Sequence, residues 1–182
     1  MEDFIGKYKM ETEVCDKVVK FFNQNKTRHV DGIIGKGDVA KDKKDSTDIA
    51  INGADGLTPL LKEYFEELSF CLNKYKKKYI YSDVDQARYN LNGCNIQKYN
   101  PGGGFKQWHY ENNGERNERH LVFMTYLNTC KAAGTVFYYQ NKTFKCKKGD
   151  TLIWPAAWTH THKGQISTTE TKYIITGWYC YG

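Results

Sequence analysis

Tyr99-Asn100-Pro101-Gly102-Gly103-Gly104-Phe105-Lys106-Gln107-Trp108-His109-Tyr110-Glu111 lies where the pattern of the chain turns from helical to extended. A proline followed by three glycines cannot continue a regular element, so the stretch reads as a turn between strands near 94–100 and 105–111. Beyond it, short β-branched and aromatic runs alternate with turn residues, which predicts further strands near 119–128, 134–140, 151–154, 158–163 and 171–180. The connectors are Asn112-Asn113-Gly114, Lys131-Ala132-Ala133 and Lys148-Gly149-Asp150. Short strands spaced in this way suggest a β-sandwich or barrel.

Upstream, two amphipathic helices are expected. Val14, Cys15, Val18, Val19, Phe21 and Phe22 recur at helical spacing after Thr12, a candidate N-cap. A second run opens at Thr58-Pro59, a cap with proline at the first helical position, and continues through Leu60, Leu61, Tyr64, Phe65, Leu68, Cys71, Leu72 and Tyr75. It ends in Lys74, Lys76, Lys77 and Lys78, cations favoured at a helix C-terminus. Between the helices, Gly32, Gly35 and Gly37 lack the order and the Lys-Ser/Thr of a phosphate loop, and the segment reads as a mobile surface loop or edge hairpin. Lys43 to Asp48 looks like a polar turn feeding a strand at Ile49-Ala50-Ile51.

At 182 residues the chain can bury one substantial core, and its 14 Tyr and 4 Trp lean toward strands. The net charge of +6 comes from 27 basic against 21 acidic residues, a mixed surface that argues against a nucleic-acid-binding protein. Cys15, Cys71, Cys94, Cys130, Cys146 and Cys180 form no close pair of the zinc-ribbon or redox type. With no apolar run near the ~18 residues of a membrane span and no signal-peptide pattern, free thiols in the cytoplasm and no membrane association are expected.

His109 and Glu111 are two residues apart, so on a strand they project to one side and can bind one metal ion. His160 and His162 also share a face, and either can complete the set. Zinc accepts such ligands. Two imidazoles and one carboxylate without a thiolate favour Fe(II), with three positions left open for a bidentate co-substrate and dioxygen. Lys172, ten residues after His162, supplies a cation for the far carboxylate of that co-substrate.

Tyr99 to Glu111 resembles the strand–turn–strand that opens the site of 2-oxoglutarate/Fe(II)-dependent dioxygenases of the prolyl 4-hydroxylase type. Arg119 to Asn128 resembles the next strand of that family, and Ala133-Gly134-Thr135-Val136-Phe137 its Gly-Gly-x-x-x-Phe element. Lys147 to His162 and Lys172 to Tyr179 resemble the closing strands. The likeness spans roughly residues 90–180, with Lys43 to Ile51 as an upstream extension. It implies a mainly β fold with packed helices (α+β): a double-stranded β-helix, or jelly-roll, core with the N-terminal helices on its outer face. Residues 1–182 would form one domain, helical to about residue 80 and jelly-roll from about 81.

The resemblance assigns His109, Glu111 and His162 to Fe(II), and Lys172 to the distal carboxylate of 2-oxoglutarate. The hydroxyls of Tyr99 and Tyr126 would assist Lys172, Thr176 would add a hydrogen bond and Trp178 would line the pocket. It further implies ascorbate as the reductant of oxidised iron and hydroxylation at C4 of a prolyl residue in a peptide or protein, with succinate and CO2 formed. The pattern departs from the family at Glu111, where Asp is usual, and at Ala133, where Gly is usual. Action on a nucleobase, on a free amino acid, or a catalytically silent metal-binding jelly-roll that binds a partner are the alternatives. The nucleobase reading lacks the paired arginines expected after the second metal histidine.

Overall fold

The computed structural model describes residues 2–35, 37–86, 90–114 and 116–181, with the backbone alone for 84–86 and 90–92. The first half carries β1 (Gly6–Lys9), α1 (Thr12–Gln24), β2 (Val30–Asp31), β3 (Ile33–Ile34), β4 (Asp38–Val39), β5 (Lys44–Asp45), β6 (Thr47–Ile51), α2 (Gly53–Gly56) and α3 (Lys62–Lys78). The second half carries β7 (Asn90–Tyr99), β8 (Gly104–Phe105), β9 (Arg119–Tyr126), β10 (Cys130–Phe137), β11 (Lys142–Cys146), β12 (Asp150–Pro155), β13 (His162–Gln165) and β14 (Lys172–Cys180).

The major sheet runs β1-β12-β9-β14-β7-β6-β2 and the minor sheet β11-β10-β13, all pairs antiparallel. Period-2 alternation splits the major sheet between two cores. Leu121, Phe123, Ile153 and Ile175 face the helices and pack with Val18, Phe22, Tyr64 and Leu68. Their alternates Val122, Met124, Tyr126, Leu152, Trp154 and Ile174 join Cys130, Phe137 and Cys146 of the minor sheet in the second core. The result is a double-stranded β-helix, mainly β, with α1 and α3 on the outer face of its major sheet. Three strands from the N-terminal part, β1, β2 and β6, belong to that same sheet. Among the described residues no helix is long and apolar enough to cross a membrane. All six cysteines are free and buried.

Several boundaries differ from those the sequence suggests. Thr12 is the first helical residue rather than the cap; Glu11 holds the cap position, and the Thr12 hydroxyl turns to the Glu13 carboxylate. Thr58-Pro59 forms a turn before α3, because the Thr58 hydroxyl donates back to the Asp55 carbonyl of α2 instead of accepting from helix amides. Strand β11 escapes the pattern because it is a largely exposed edge strand with lysines at Lys142 and Lys145. It follows a turn closed by Asn141, held at φ 50 in the left-handed region that asparagine tolerates. Lys131-Ala132-Ala133 is part of β10, where a register shift between Cys130 and Gly134 absorbs the irregularity. Residues 158–160 form a 3-10 turn, so the strand there starts at His162. The Gly32–Gly37 region is an edge hairpin, with Ile33 and Ile34 paired to Val39 and Asp38.

Candidate metal centre and cavity

His109 and Glu111 do not share a regular strand. The backbone from Gly104 onward changes partners within a few residues, and no continuous ladder forms. Gly104 and Phe105 pair with β5. His109 exchanges both backbone hydrogen bonds with His162, at 3.0 and 2.9 Å. The amides of Glu111 and Asn112 then donate to the Ala156 carbonyl at 3.1 and 2.9 Å. Two separate anchors, rather than strand alternation, aim the two side chains at one point.

His162 Nε2 lies 3.9 Å and His109 Nε2 3.6 Å from Glu111 Oε1, and the candidate ligand atoms of all three residues fall within 4.8 Å of one another. His109 Nδ1 is bonded to the Gln107 carbonyl and His162 Nδ1 to the His160 carbonyl, both at 2.9 Å. A carbonyl accepts only from N–H, so each ring carries its proton on Nδ1 and presents the Nε2 lone pair to the centre. Burial pushes the His109 pKa below its ordinary value, against the raising effect of Glu111. It pushes that of His162 far lower, with His109 adding to the effect. Both imidazoles are therefore neutral donors near pH 7, and the donor set fits a divalent ion of the iron or zinc type. Phe105 stacks on His109 at 3.6 Å, while Phe137 and Trp154 pack around His162. His160 is turned away, with Nε2 on the Asp3 carbonyl and Nδ1 on the Thr159 hydroxyl.

The second oxygen of Glu111 is held by Trp178, expected from the sequence only to line the pocket, and by Arg119, which sequence reading did not assign to the site. Oε2 accepts from Arg119 Nη1 at 2.9 Å and from the indole N–H of Trp178 at 3.0 Å. The Arg119 guanidinium lies 3.5 Å over the Trp178 ring. The available signal was an arginine opening a largely apolar strand, where burial without a partner would be costly.

The three residues line a cavity of about 350 Å³ between the sheets. Lys172, Ile174, Thr176 and Trp178, alternate residues of β14, all face it. Lys172 is buried, and its ammonium sits 4.7 Å over the Tyr99 ring with no ion pair among the described residues. Burial pulls its pKa below the ordinary 10.5. Glu170, the sequence neighbour able to neutralise it, is engaged elsewhere, accepting from the Lys131 amide and the Cys130 thiol.

The hydroxyls expected beside Lys172 are already bonded. Tyr99 donates to Gln97 at 2.6 Å, and Tyr126 donates to Thr135 at 2.7 Å. Tyr99 and Thr135 line the cavity, whereas Tyr126 stands behind Thr135. Thr176 donates to the Phe123 carbonyl. A second buried ion pair, Lys44–Asp48 at 2.6 Å, is completed by the Ser46 hydroxyl and the Gln97 amide and forms another wall. On the exposed side the wall is formed by Ile33, Ile34 and Gly35, and Arg116 donates to the Gly35 carbonyl at 2.8 Å.

The inner face of this jelly-roll thus gathers a His–Glu–His set able to hold a metal ion and a buried lysine with no ion pair among the described residues. The family model of the 2OG-Fe(II) oxygenase superfamily matches residues 94–180 of the chain. No curated protein matches it by sequence. Among solved structures it is similar to a viral collagen prolyl hydroxylase from Paramecium Bursaria Chlorella virus-1, with TM-score 0.73 and 17% identity over 98% of this chain and 97% of that one. A Pseudomonas putida prolyl-4-hydroxylase gives TM-score 0.72 and 10% identity over 97% and 92%. A Trichoplax adhaerens prolyl hydroxylase, solved with a hypoxia inducible factor peptide fragment, gives 0.70 and 17% over 97% and 84%. At these identities the likeness concerns the fold, which is prolyl 4-hydroxylase-like.

Proposed function

We propose that the chain hydroxylates C4 of a prolyl residue in a peptide or protein, using Fe(II) and 2-oxoglutarate and forming succinate and CO2. The observation that carries this reading is the pairing, in one cavity, of the His109–Glu111–His162 set with an ammonium that has no counter-ion among the described residues. The fold's likeness to three prolyl hydroxylases supports the choice of prolyl substrate. His109, Glu111 and His162 would hold the iron through two neutral Nε2 atoms and one carboxylate oxygen. Iron, when bound with 2-oxoglutarate and dioxygen, supplies the oxidising power that converts C–H to C–OH.

The remaining work falls to side chains. Lys172 binds the far carboxylate of 2-oxoglutarate, with the Tyr99 ring beneath it holding its position. Thr135 and Thr176 offer hydroxyls in the same cavity, and the Trp178 ring lines the space beside Glu111. Ile33 and Ile34 of the β3 hairpin, with Asn113 and Arg116, border the exposed side and would exclude water while substrate is bound. Ascorbate as the reductant of oxidised iron and a cytoplasmic setting are parts of the same proposal; buried free thiols suit a reducing compartment.

The test is O2-dependent succinate formation by anaerobically loaded Fe(II) protein, with and without proline-rich peptides, followed by mass analysis of the peptide. Succinate coupled to a gain of one oxygen on proline is the expected result. Iron binding with no succinate under any peptide would instead identify a silent metal-binding jelly-roll.

A further inference from the structure

We infer that Arg119, acting with the indole N–H of Trp178, is a positioning residue that makes the longer carboxylate of Glu111 a one-oxygen metal ligand. The inference rests on the metal centre proposed above and goes beyond it by assigning the two Glu111 oxygens different tasks. Oε1 faces both histidine Nε2 atoms, at 3.6 and 3.9 Å. Oε2 is turned to the other side, where Arg119 Nη1 and Trp178 Nε1 both donate to it.

The holder is rigid. Arg119 opens β9 opposite Cys180 of the adjacent β14, where a register shift between Tyr179 and Cys180 falls, and Trp178 pairs with Val122 on the same two strands. The guanidinium, buried with its side chain 9% exposed, stacks face-on over the indole. The Glu111 backbone is independently fixed at the Ala156 carbonyl. A glutamate otherwise has one more rotatable bond than an aspartate and can swing both oxygens onto a cation. Here a charged donor and a neutral donor retain Oε2, which leaves open the coordination position a second oxygen would fill.

An aspartate at this site would fall short by about one C–C bond, roughly 1.5 Å, and could not reach the metal and both donors together. Arg119 should therefore matter for metal binding only when residue 111 is glutamate. A double-mutant cycle tests this coupling. Fe(II) affinity is measured anaerobically without 2-oxoglutarate for the wild type, Arg119→Met, Glu111→Asp and the double variant, with Co(II) absorption as a report on carboxylate coordination.

Arg119→Met should weaken Fe(II) binding by about ten- to a hundred-fold in the wild-type background and by less than about three-fold in the Glu111→Asp background. The Co(II) spectrum should change only in the former. Trp178→Phe, which keeps the ring and removes the N–H, should show the same dependence with a smaller loss, and it carries the test if Arg119→Met does not fold. Equal losses in both backgrounds, or none in either, overturn the inference and leave the metal centre standing. A wild-type chain that binds no Fe(II) overturns both.

Discussion

Replacing Lys172 with methionine should move stability and co-substrate binding independently of each other. Methionine keeps an unbranched side chain, one atom shorter, and removes the charge. In the protein without ligand the ammonium is buried, forms no ion pair among the described residues and rests on the Tyr99 ring. The substitution forfeits a cation–π contact of about 0.5–2 kcal/mol and relieves the cost of holding an unpaired charge away from water, so the two terms oppose. The melting temperature should therefore change little, or rise.

The effect on 2-oxoglutarate has one sign only. A hydrogen bond to a charged group contributes about 1.5–3 kcal/mol, so affinity should fall roughly ten- to a hundred-fold. Calorimetric titration of the metal-loaded protein, together with the 2-oxoglutarate dependence of succinate formation, measures it. Fe(II) affinity without co-substrate should stay unchanged. A melting temperature lowered by many degrees with unaltered 2-oxoglutarate affinity would refute the reasoning and make Lys172 a structural residue.

The other predictions concern the metal ligands, the titration of Lys172 and the helix-facing core. His162→Ala should abolish iron binding and turnover, whereas His160→Ala should keep the metal and lose about 1–3 kcal/mol of stability with its buried contacts at Asp3 and Thr159, read by iron titration and denaturant unfolding. Glu111→Ala should eliminate turnover and Glu111→Asp restore part of it; full activity in Glu111→Ala would remove the carboxylate from the centre. The Lys172 pKa lies below 10.5 in the free protein and binding favours its charged form, so 2-oxoglutarate affinity should decline as pH rises through that lowered value. Over the same window, up to the unfolded value, the unfolded chain binds more protons and stability of the free protein should rise with pH. In Lys172→Arg the residual binding should show no alkaline decline, because the guanidinium stays charged. Phe123→Ala, at a fully buried position facing the helices, should cost about 3–5 kcal/mol in denaturant unfolding without altering the donor set of the metal centre.

How much of this was legible beforehand follows from the range of each interaction. Alternation along Lys172, Ile174, Thr176 and Trp178 is a local property of a strand, and the cavity finds all four on one face. The amphipathic spacing of Val14 to Phe22 and of Tyr64 to Tyr75 likewise settled which helix faces are buried, because side-chain direction in a helix repeats within a few residues. Glycine and proline at 101–104 fixed the turn before the site by their backbone limits alone.

What the sequence could not decide was where unlike segments meet. Nothing near His109 in the chain indicates that its backbone pairs with His162, or that Glu111 is anchored on Ala156; the two side chains that strand alternation groups are brought together by a different backbone arrangement. The binding of the Tyr126 hydroxyl to Thr135, the Lys44–Asp48 wall and the grip of Arg119 and Trp178 on Glu111 each depend on positions brought together by strand pairing and loop closure. Periodicity specifies which way a residue points. Its partner is chosen by sheet register and by the need of each buried polar group for a hydrogen bond, and those are settled only when the whole chain has folded.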